Sequence, residues 1–541
     1  MNYLILTLLL FLLFIIMYAD IRRYLHMIQL EGYKNINFIK WAADNLREIL
    51  QRAAPVLELL LALYVFIFRG ILDQTQLFYI LIPLWIVICI MAYFFIPNKK
   101  EKKKLVFTAR AKRLLIANSS IIIFLLYLLY RIAGIETIVS ISTVYFLLGA
   151  FSLKLFTSII MITANGLTFP LEKCINRYYF IKARNKLRRL KGLTVVGITG
   201  SFGKTSTKHF LKTILEEKYK VYMTPESYNT PMGIAKVVNQ ELNEDTEVFV
   251  AEMGAYKPGE IQELVQLTGP KIGILTSIGK QHLNTFKTID NVAKTKYELI
   301  NGLPDDGLGI FNGDNEYCSE YYNRTKIKKL RYSISKQEDM DLYVDNMELS
   351  SQGMSFTLNT EQDQIKCNAK ILGLHNASNI AAASLAALNM GLTLKEIACG
   401  ISRIEPVPHR LQLINSGSGV TVIDDAFNSN PVGSKMALET LKLFNGRKII
   451  ITPGMVDLGE EEYKLNREFG EKIAEVCDYA ILIGKNRAKP IIEGLKAGKY
   501  DDNRILVADS LDEAVNEKLK SVSQAGDVIL FENDLTDNLG L

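Results

Sequence analysis

The segment LTVVGITGSFGKTSTKHFLKTIL, from Leu193 to Leu215, sets two glycines, a lysine and two hydroxyls between an apolar run and an amphipathic one. A strand, a glycine loop and a helix in that order is the setting in which a phosphate-binding loop works. Gly200 and Gly203 let the backbone come close to phosphate oxygens, and the free N–H groups at the following helix start favour an anion. Lys204 can reach the outer phosphates of a nucleotide, and the Thr205 hydroxyl can hold Mg2+. The strict pattern GxxxxGK[ST] asks for glycine at position 198, where Ile198 stands. A second feature bears on the same chemistry: Glu252 closes the β-like run VFVAEMG. At a strand end its carboxylate can share a metal ion with Thr205.

TGSFGKTS, which contains Gly200, Ser201, Gly203, Lys204, Thr205 and Ser206, resembles the phosphate loop of the Mur ligases. The resemblance continues in order through SYNTPMGIA, AEMGAYKPGEI, TSIGKQHL, AKTKYELI, FNGDNE, GLHNASNIAAA, PHR and DDAFNSNP, and covers about residues 192 to 490. It is strongest with the branch that adds D-alanyl-D-alanine. The resemblance implies an ATP-dependent ligase that activates a carboxylate as an acyl phosphate, which an amine then attacks. Both steps gather negative charge, so metal ions and fixed cations carry the stabilisation. It further implies two Mg2+ ions, with Thr205 and Glu252 on one and His282 on the second. Lys296 matches a lysine that is carbamylated in much of the family, and the Lys-x-Glu block with Glu298 selects it over Lys294. Asn312, Asn376 and Asn379 resemble the amides that line the adenine and nucleotide site, though such residues also cap helices. Arg410 matches an arginine that meets the γ-phosphate across a domain cleft, where a planar fork suits phosphate. Asp424, rather than Asp425, is expected on the ribose. Asn229, Thr230, Asn428 and Asn430 belong to loops on the substrate side.

These residues need elements to hold them. Residues 192–405 alternate apolar strands with amphipathic helices, as parallel α/β units do. Period-two stretches at 341–372, such as MSFTLNT, resemble the small β insertion of a Mur central domain. From 406 to 541, VTVID, KIIITPG, YAILIG, RILVAD and DVILFE are short strand candidates of a Rossmann-like C-terminal domain. The expected fold class is therefore α/β, in two domains.

The first third has another texture. Hydrophobic residues make up 49% of the 541-residue chain, and their excess sits there. Apolar runs extend over Tyr3 to Ala19, Pro55 to Phe68, Leu77 to Ile96, Leu114 to Tyr130, and about Ile138 to Ile162. Each clear run approaches the roughly 20 residues that cross a bilayer. Basic and non-basic loops alternate between them, which predicts five membrane helices over residues 1–170, with the N-terminus outside and the catalytic bulk on the cytoplasmic side of the cell membrane. Lys154, inside the fifth run, has to face protein or water. KCINRYYFIKARNKLRRLK, within 171–191, reads as a basic amphipathic linker along an anionic lipid surface. The net charge of +6 clusters beside apolar runs, which points to membrane topology and away from nucleic acid. The six cysteines form no CxxC pair, so neither a zinc ribbon nor a disulfide framework is indicated.

The chain departs from the resemblance at both ends. Five helices stand where soluble Mur ligases carry a UDP-binding domain, so the acceptor is expected to be a cell-wall peptide precursor linked to UDP or to a membrane lipid. FENDLTDNLGL replaces the branch's Lys-Gly-Ser segment, so the amine is an amino acid or dipeptide that need not be D-alanyl-D-alanine. Two other readings are a ligase for another polymer, such as poly-γ-glutamate, and a membrane-bound nucleotide-binding scaffold without turnover.

Overall fold

Short apolar runs bounded by glycine, proline or asparagine become the strands, and the amphipathic stretches between them become the covering helices. The computed structural model describes residues 3–47, 49, 55–68, 71, 80, 83–87, 104–135, 139–226, 228–281, 283–415, 419–427, 430–456 and 458–533. The chain divides into one unit up to Asn176 and a second from Arg177 onwards.

The second unit holds two sheets. The strands of the first are β1 (Thr194–Thr199), β2 (Val221–Met223), β3 (Val248–Glu252), β4 (Ile272–Leu275), β5 (Leu308–Asn312), β6 (Lys328–Ser333), β7 (Leu342–Ser350), β8 (Gly353–Asn359) and β9 (Gln364–Ala369). Their order is β2-β3-β1-β4-β5-β6-β7-β8-β9. The sheet is parallel from β2 to β7, and β8 and β9 add antiparallel neighbours. β3 and β4 are buried at every position, as central parallel strands covered on both faces must be. In β7 buried and less buried positions alternate, as they do in a strand with one wet face. The period-two stretch is thus an extension of the main sheet rather than a separate layer. A register shift between Asp345 and Glu348 bends β7.

The second sheet contains β10 (Gln412–Asn415), β11 (Thr421–Asp425), β12 (Lys448–Thr452), β13 (Tyr479–Ile483), β14 (Ile505–Ala508) and β15 (Val528–Glu532), in the order β10-β11-β15-β12-β13-β14. Only β10 runs antiparallel. The five strand candidates of the C-terminal third form β11 to β15.

The first unit is helical, with Tyr3–Leu30, Asn35–Asp44, Pro55–Ile67, Ala109–Ile135, Val139–Leu155 and the first part of Thr157–Arg189. Among the described residues, the helix segment Ala109–Ala133 is long and apolar enough to cross a membrane. The pair Ile141–Leu155 and Thr157–Arg189, bent by 60°, passes together. Pro55–Ile67, with 13 residues, is short for a span. The run from Leu77 to Ile96 lies largely outside the described residues. Lys154 is buried among protein groups.

The stretch at 171–191 corrects the expectation drawn from its charge. It is no separate linker: the helix Thr157–Arg189 runs on through it. Phe180, Ala183 and Leu187 recur at helical spacing and join a buried cluster with Ile234, Val238 and Leu242. Lys186 Nζ donates to the Leu242 carbonyl at 2.7 Å, and Asn239 Nδ2 to the Tyr179 carbonyl at 3.0 Å. The apolar stripe that suggested a lipid surface has protein to cover it.

Candidate active site

β1 delivers the chain to Gly200, whose φ of +155° no side chain shares comfortably. A Cβ there would lie 2.1 Å from Thr276 Oγ1, and one at Gly203 (φ +82°) would lie 2.3 Å from Asn379 Oδ1. Between them the loop is tied down from β4's far end. Ser201 N donates to the Ser277 carbonyl at 2.6 Å, Ser201 Oγ to the Gly279 carbonyl at 3.1 Å, and Thr276 Oγ1 to the Phe202 carbonyl at 2.6 Å. The helix Lys204–Leu215 starts directly behind the loop. Lys204 Nζ folds over it, donating to the carbonyls of Gly200 at 2.8 Å and Ser201 at 3.1 Å. Burial pulls this lysine down to about 8; Glu252 opposes the shift and Arg410 adds to it.

Glu252, at the end of β3, is buried. Its Oε1 accepts from Asn229 Nδ2 at 3.2 Å. Its Oε2 lies 3.1 Å from Lys208 Nζ but receives no aligned hydrogen bond among the described residues. Burial pushes Glu252 up, yet Lys208 and Lys204 outweigh it and hold the carboxylate ionised below its usual range. Lys208 is itself fully buried and is pulled down, first by burial. An ionised, enclosed carboxylate with an under-used oxygen beside a phosphate loop fits a divalent cation.

Lys296 sits on the helix Ile289–Asn301 and is 3% exposed, while Lys294 faces solvent. Among the described residues no hydrogen bond or ion pair holds its amine. Burial brings it down to about 7, with Lys204 pushing the same way and Glu260, Glu252 and Glu298 opposing. Glu298 has a structural task, accepting from the backbone of Gly259 at 2.8 Å and Gln262 at 2.9 Å at the head of the helix Glu260–Thr268.

The second sheet contributes Arg410, just before β10. Its Nη2 lies 3.3 Å from Thr205 Oγ1, and its guanidinium stands 4.6 Å over the Phe427 ring. His409 (φ +59°) and Leu411 (φ +46°), on either side, both take the left-handed conformation. That costs about 1–3 kcal/mol each for residues with a side chain. The end of β11 holds them there: Asp424 Oδ2 is 2.7 Å from His409 Nδ1, and Asp425 Oδ1 accepts from Leu411 N at 3.1 Å. Asp425 is paired in register with Glu532 of β15. Burial pushes Asp425 up to about 6 against the Leu411 N–H and Arg410.

Asn312, Asn376 and Asn379 also come to the loop, with their amides already engaged. Asn312 Nδ2 donates to the Thr276 carbonyl at 2.7 Å, and Asn376 Nδ2 to the Leu372 carbonyl at 2.7 Å. Asn379 Nδ2 donates to Asn376 Oδ1 at 3.1 Å, and its Oδ1 accepts from Thr207 at 3.2 Å. Ser206 is buried behind the loop. Thr230 and Asn430 cap the helices Pro231–Gln240 and Pro431–Lys442. His282 and Asn428 lie outside the described residues. Lys208 and Phe427 were not singled out from the sequence. Lys208 could have been, since it falls four residues after Lys204 on the inner face of an amphipathic helix.

Beside the second sheet is a cavity of about 610 Å³, lined by Glu460, Glu462 and Tyr463 on one side and Asn486 and Arg487 on another. Glu461, on its rim, is bound by Lys280 at 2.8 Å, directly after the loop that braces Ser201. Carboxylates and an arginine around one space suit a zwitterion.

A phosphate loop on one parallel sheet, met by an arginine from the start of another, defines a nucleotide-using enzyme of the two-sheet α/β type. Residues 198–387 match the Mur ligase middle domain, and residues 409–532 the Mur ligase, glutamate ligase domain. The UDP-N-acetylmuramoyl-tripeptide–D-alanyl-D-alanine ligase of Bacillus subtilis is 30% identical over 352 residues, covering 63% of this chain and 73% of the relative. Its counterpart in Escherichia coli is 29% identical over 54% of this chain and 64% of its own length. Among solved structures, the MurF ligase of Thermotoga maritima in complex with ADP superposes with a TM-score of 0.59 at 25% identity, covering 66% of this chain and 80% of the other. The chain belongs to the Mur ligase family and is an ATP-dependent, ADP-forming ligase.

Proposed function

We propose that this ligase joins the carboxylate of a cell-wall peptide precursor to the amine of D-alanyl-D-alanine, or of a closely similar amino acid or dipeptide, at the cytoplasmic face of the membrane. The reading rests foremost on Arg410 meeting Thr205, which brings a cation of the second sheet to the phosphate loop of the first. The division that goes with it is a membrane-associated region to about 170, a central ATP-binding domain over 192–405 and a C-terminal domain from 406.

MgATP supplies the phosphoryl group that activates the carboxylate. Lys204 and Arg410 would hold the phosphates from two sides, and Thr205 and Glu252 would offer oxygens to the metal. Lys296 is buried and pulled down to about 7, so part of its amine is uncharged near neutral pH, the form that adds CO2, and the resulting carbamate would join His282 on a second ion. The cavity at Arg487 would take the incoming amine, with the arginine on its carboxylate and Glu460 or Glu462 on its ammonium.

The membrane reading has support of its own. The segments expected on the cytoplasmic side lie together within the first unit: Arg22 stands over Phe107 at 6.0 Å, and Arg113 pairs with Glu172.

The test is ADP release by the full-length protein with ATP and Mg2+, offering UDP-linked and lipid-linked muramyl peptides with and without D-alanyl-D-alanine. Release that requires both an acceptor and the dipeptide is expected. Release with an acceptor and a different amine would redirect the substrate assignment, and none with any pair would refute it.

A further inference from the structure

A second contact joins the two sheets of the catalytic unit. Lys280 Nζ meets both carboxylate oxygens of Glu461, at 2.9 and 2.8 Å, across 181 residues of chain. Both side chains are about half exposed, and an exposed pair of this kind normally contributes little. What sets this one apart is what stands behind each partner.

Behind Lys280 is the brace of the phosphate loop. Gly279 grips the Ser201 side chain twice: its N–H donates to Ser201 Oγ and its carbonyl accepts from it, each at 3.1 Å. The Phe202 ring lies against the same glycine, where a Cβ would come within 2.6 Å of it. Ser277 Oγ donates to the Phe202 carbonyl at 3.2 Å. The main chain just before Lys280 therefore cannot shift without moving the loop that carries Ser201 and Phe202.

Behind Glu461 is the end of β12. The turn Gly459–Glu461 follows Met455 and Leu458, both buried in the core of the second sheet. The buried Asn466 donates Nδ2 to the carbonyls of Met455 and Glu462, each at 2.9 Å, and its Oδ1 accepts from Met455 N at 2.8 Å. Glu460 and Glu462 line the cavity of about 610 Å³. Of three consecutive carboxylates, the outer two thus serve the cavity while Lys280 takes the middle one. A pair anchored at both ends relates two rigid bodies rather than two loose side chains.

We propose that Lys280 and Glu461 are positioning residues of the ligase. The pair holds the rim of the cavity and the phosphate loop in one fixed relation, and so helps keep Arg410 at Thr205. Delivery of an amine from that cavity rests on the reading above; the effect on the nucleotide does not.

The experiment is calorimetric binding of AMP-PNP, an ATP analogue that is not cleaved, with Mg2+ and the full-length protein. Lys280→Glu and Glu461→Lys turn attraction into repulsion, and each should weaken binding at least about threefold, the scale of an exposed pair. The two reversals together restore opposite charges and should recover most of the loss. Salt at about 1 M, which screens charges beyond about 3 Å, should narrow the gap between wild type and each reversal. Lys472→Glu breaks a similarly exposed pair with Glu475 inside one helix and should match wild type. A merely stabilising pair would change the melting temperature and leave affinity alone. Equal affinity in all variants therefore overturns the proposal, as does a loss that the double reversal fails to recover. With substrates that support ADP release, each reversal should also raise KM for the amine, and an unchanged KM would overturn the link to the cavity. Binding needs neither acceptor nor amine, so an absence of ADP release refutes the substrate assignment and leaves this test standing.

Discussion

Lys204 and Lys296 are both buried lysines held below their ordinary range, and the difference between them decides their chemistry. Lys204 lies on the loop carbonyls, where it keeps its charge near neutral pH and a phosphate would hold that charge more firmly. Lys296, at about 7 and without a hydrogen-bond partner among the described residues, is a reactive amine near neutral pH. Since only the neutral amine adds CO2, ADP release in CO2-depleted buffer should be restored by bicarbonate, and more fully as pH rises through about 7. Activity indifferent to bicarbonate would rule the carbamate out. Arg410→Ala should lower kcat by roughly 10²–10³, the effect of removing one preorganised charge-stabilising group, and Arg410→Lys should not restore it. Stopped-flow ADP release measures both. Of the two lysines singled out in the sequence, Lys296 is the buried one, and the gathering of the loop residues, Glu252 and Arg410 at one place was legible there. The bonds of Asn376 and Asn379 were not, because an amide that braces a loop and one that binds a base carry the same letter. Lys208 was missed because a lysine in a helix usually reads as solvated.

The strand ends and one strained turn set the geometry at the scale of elements. Asp424 and Asp425 leave β11 on opposite sides and hold the residues flanking Arg410, so the turn 409–411 and β11 act as a single holder. This gives stability a pH dependence of known sign. Asp425 at about 6 sits above its ordinary 3.8. The folded state therefore holds that proton more tightly. Its contribution is complete below about 4 and is lost as pH climbs through about 6. Urea midpoints of wild type should fall over that interval relative to Asp425→Asn, which cannot titrate; parallel curves would contradict the assignment. The strands were readable from short apolar runs between turn residues. The continuity of Thr157–Arg189 was not, because an abrupt change from apolar to basic residues looks like a boundary while the helix hydrogen bonds run through it. The extension of the first sheet by β8 and β9 was likewise hidden, since alternation reveals a strand but not its neighbour.

At the scale of the whole molecule, the sequence separated the helical region from the catalytic unit by texture alone, and the membrane placement proposed above would give the two different solvents. Of the five spans the sequence predicted, Ala109–Ala133 and the bent pair Ile141–Leu155 and Thr157–Arg189 are long and apolar enough among the described residues, because short apolar runs and buried helices look alike in sequence. Topology is open to labelling. In a variant with Cys174 as its single cysteine, this exposed thiol should react with a membrane-impermeant maleimide only in inside-out vesicles, and a cysteine placed between Gly70 and Gln76 only in intact cells. The reverse pattern would place the catalytic unit on the wrong side of its nucleotide. The central claim, that a carboxylate is activated by phosphoryl transfer at Lys204, Arg410 and Glu252, is tested most directly with oxygen isotopes. The acceptor peptide carries 18O in its reacting carboxylate, and the phosphate released with ADP is weighed by mass spectrometry. One 18O per phosphate in each turnover is the predicted result. Phosphate free of the label, with the amide bond still formed, would contradict the account.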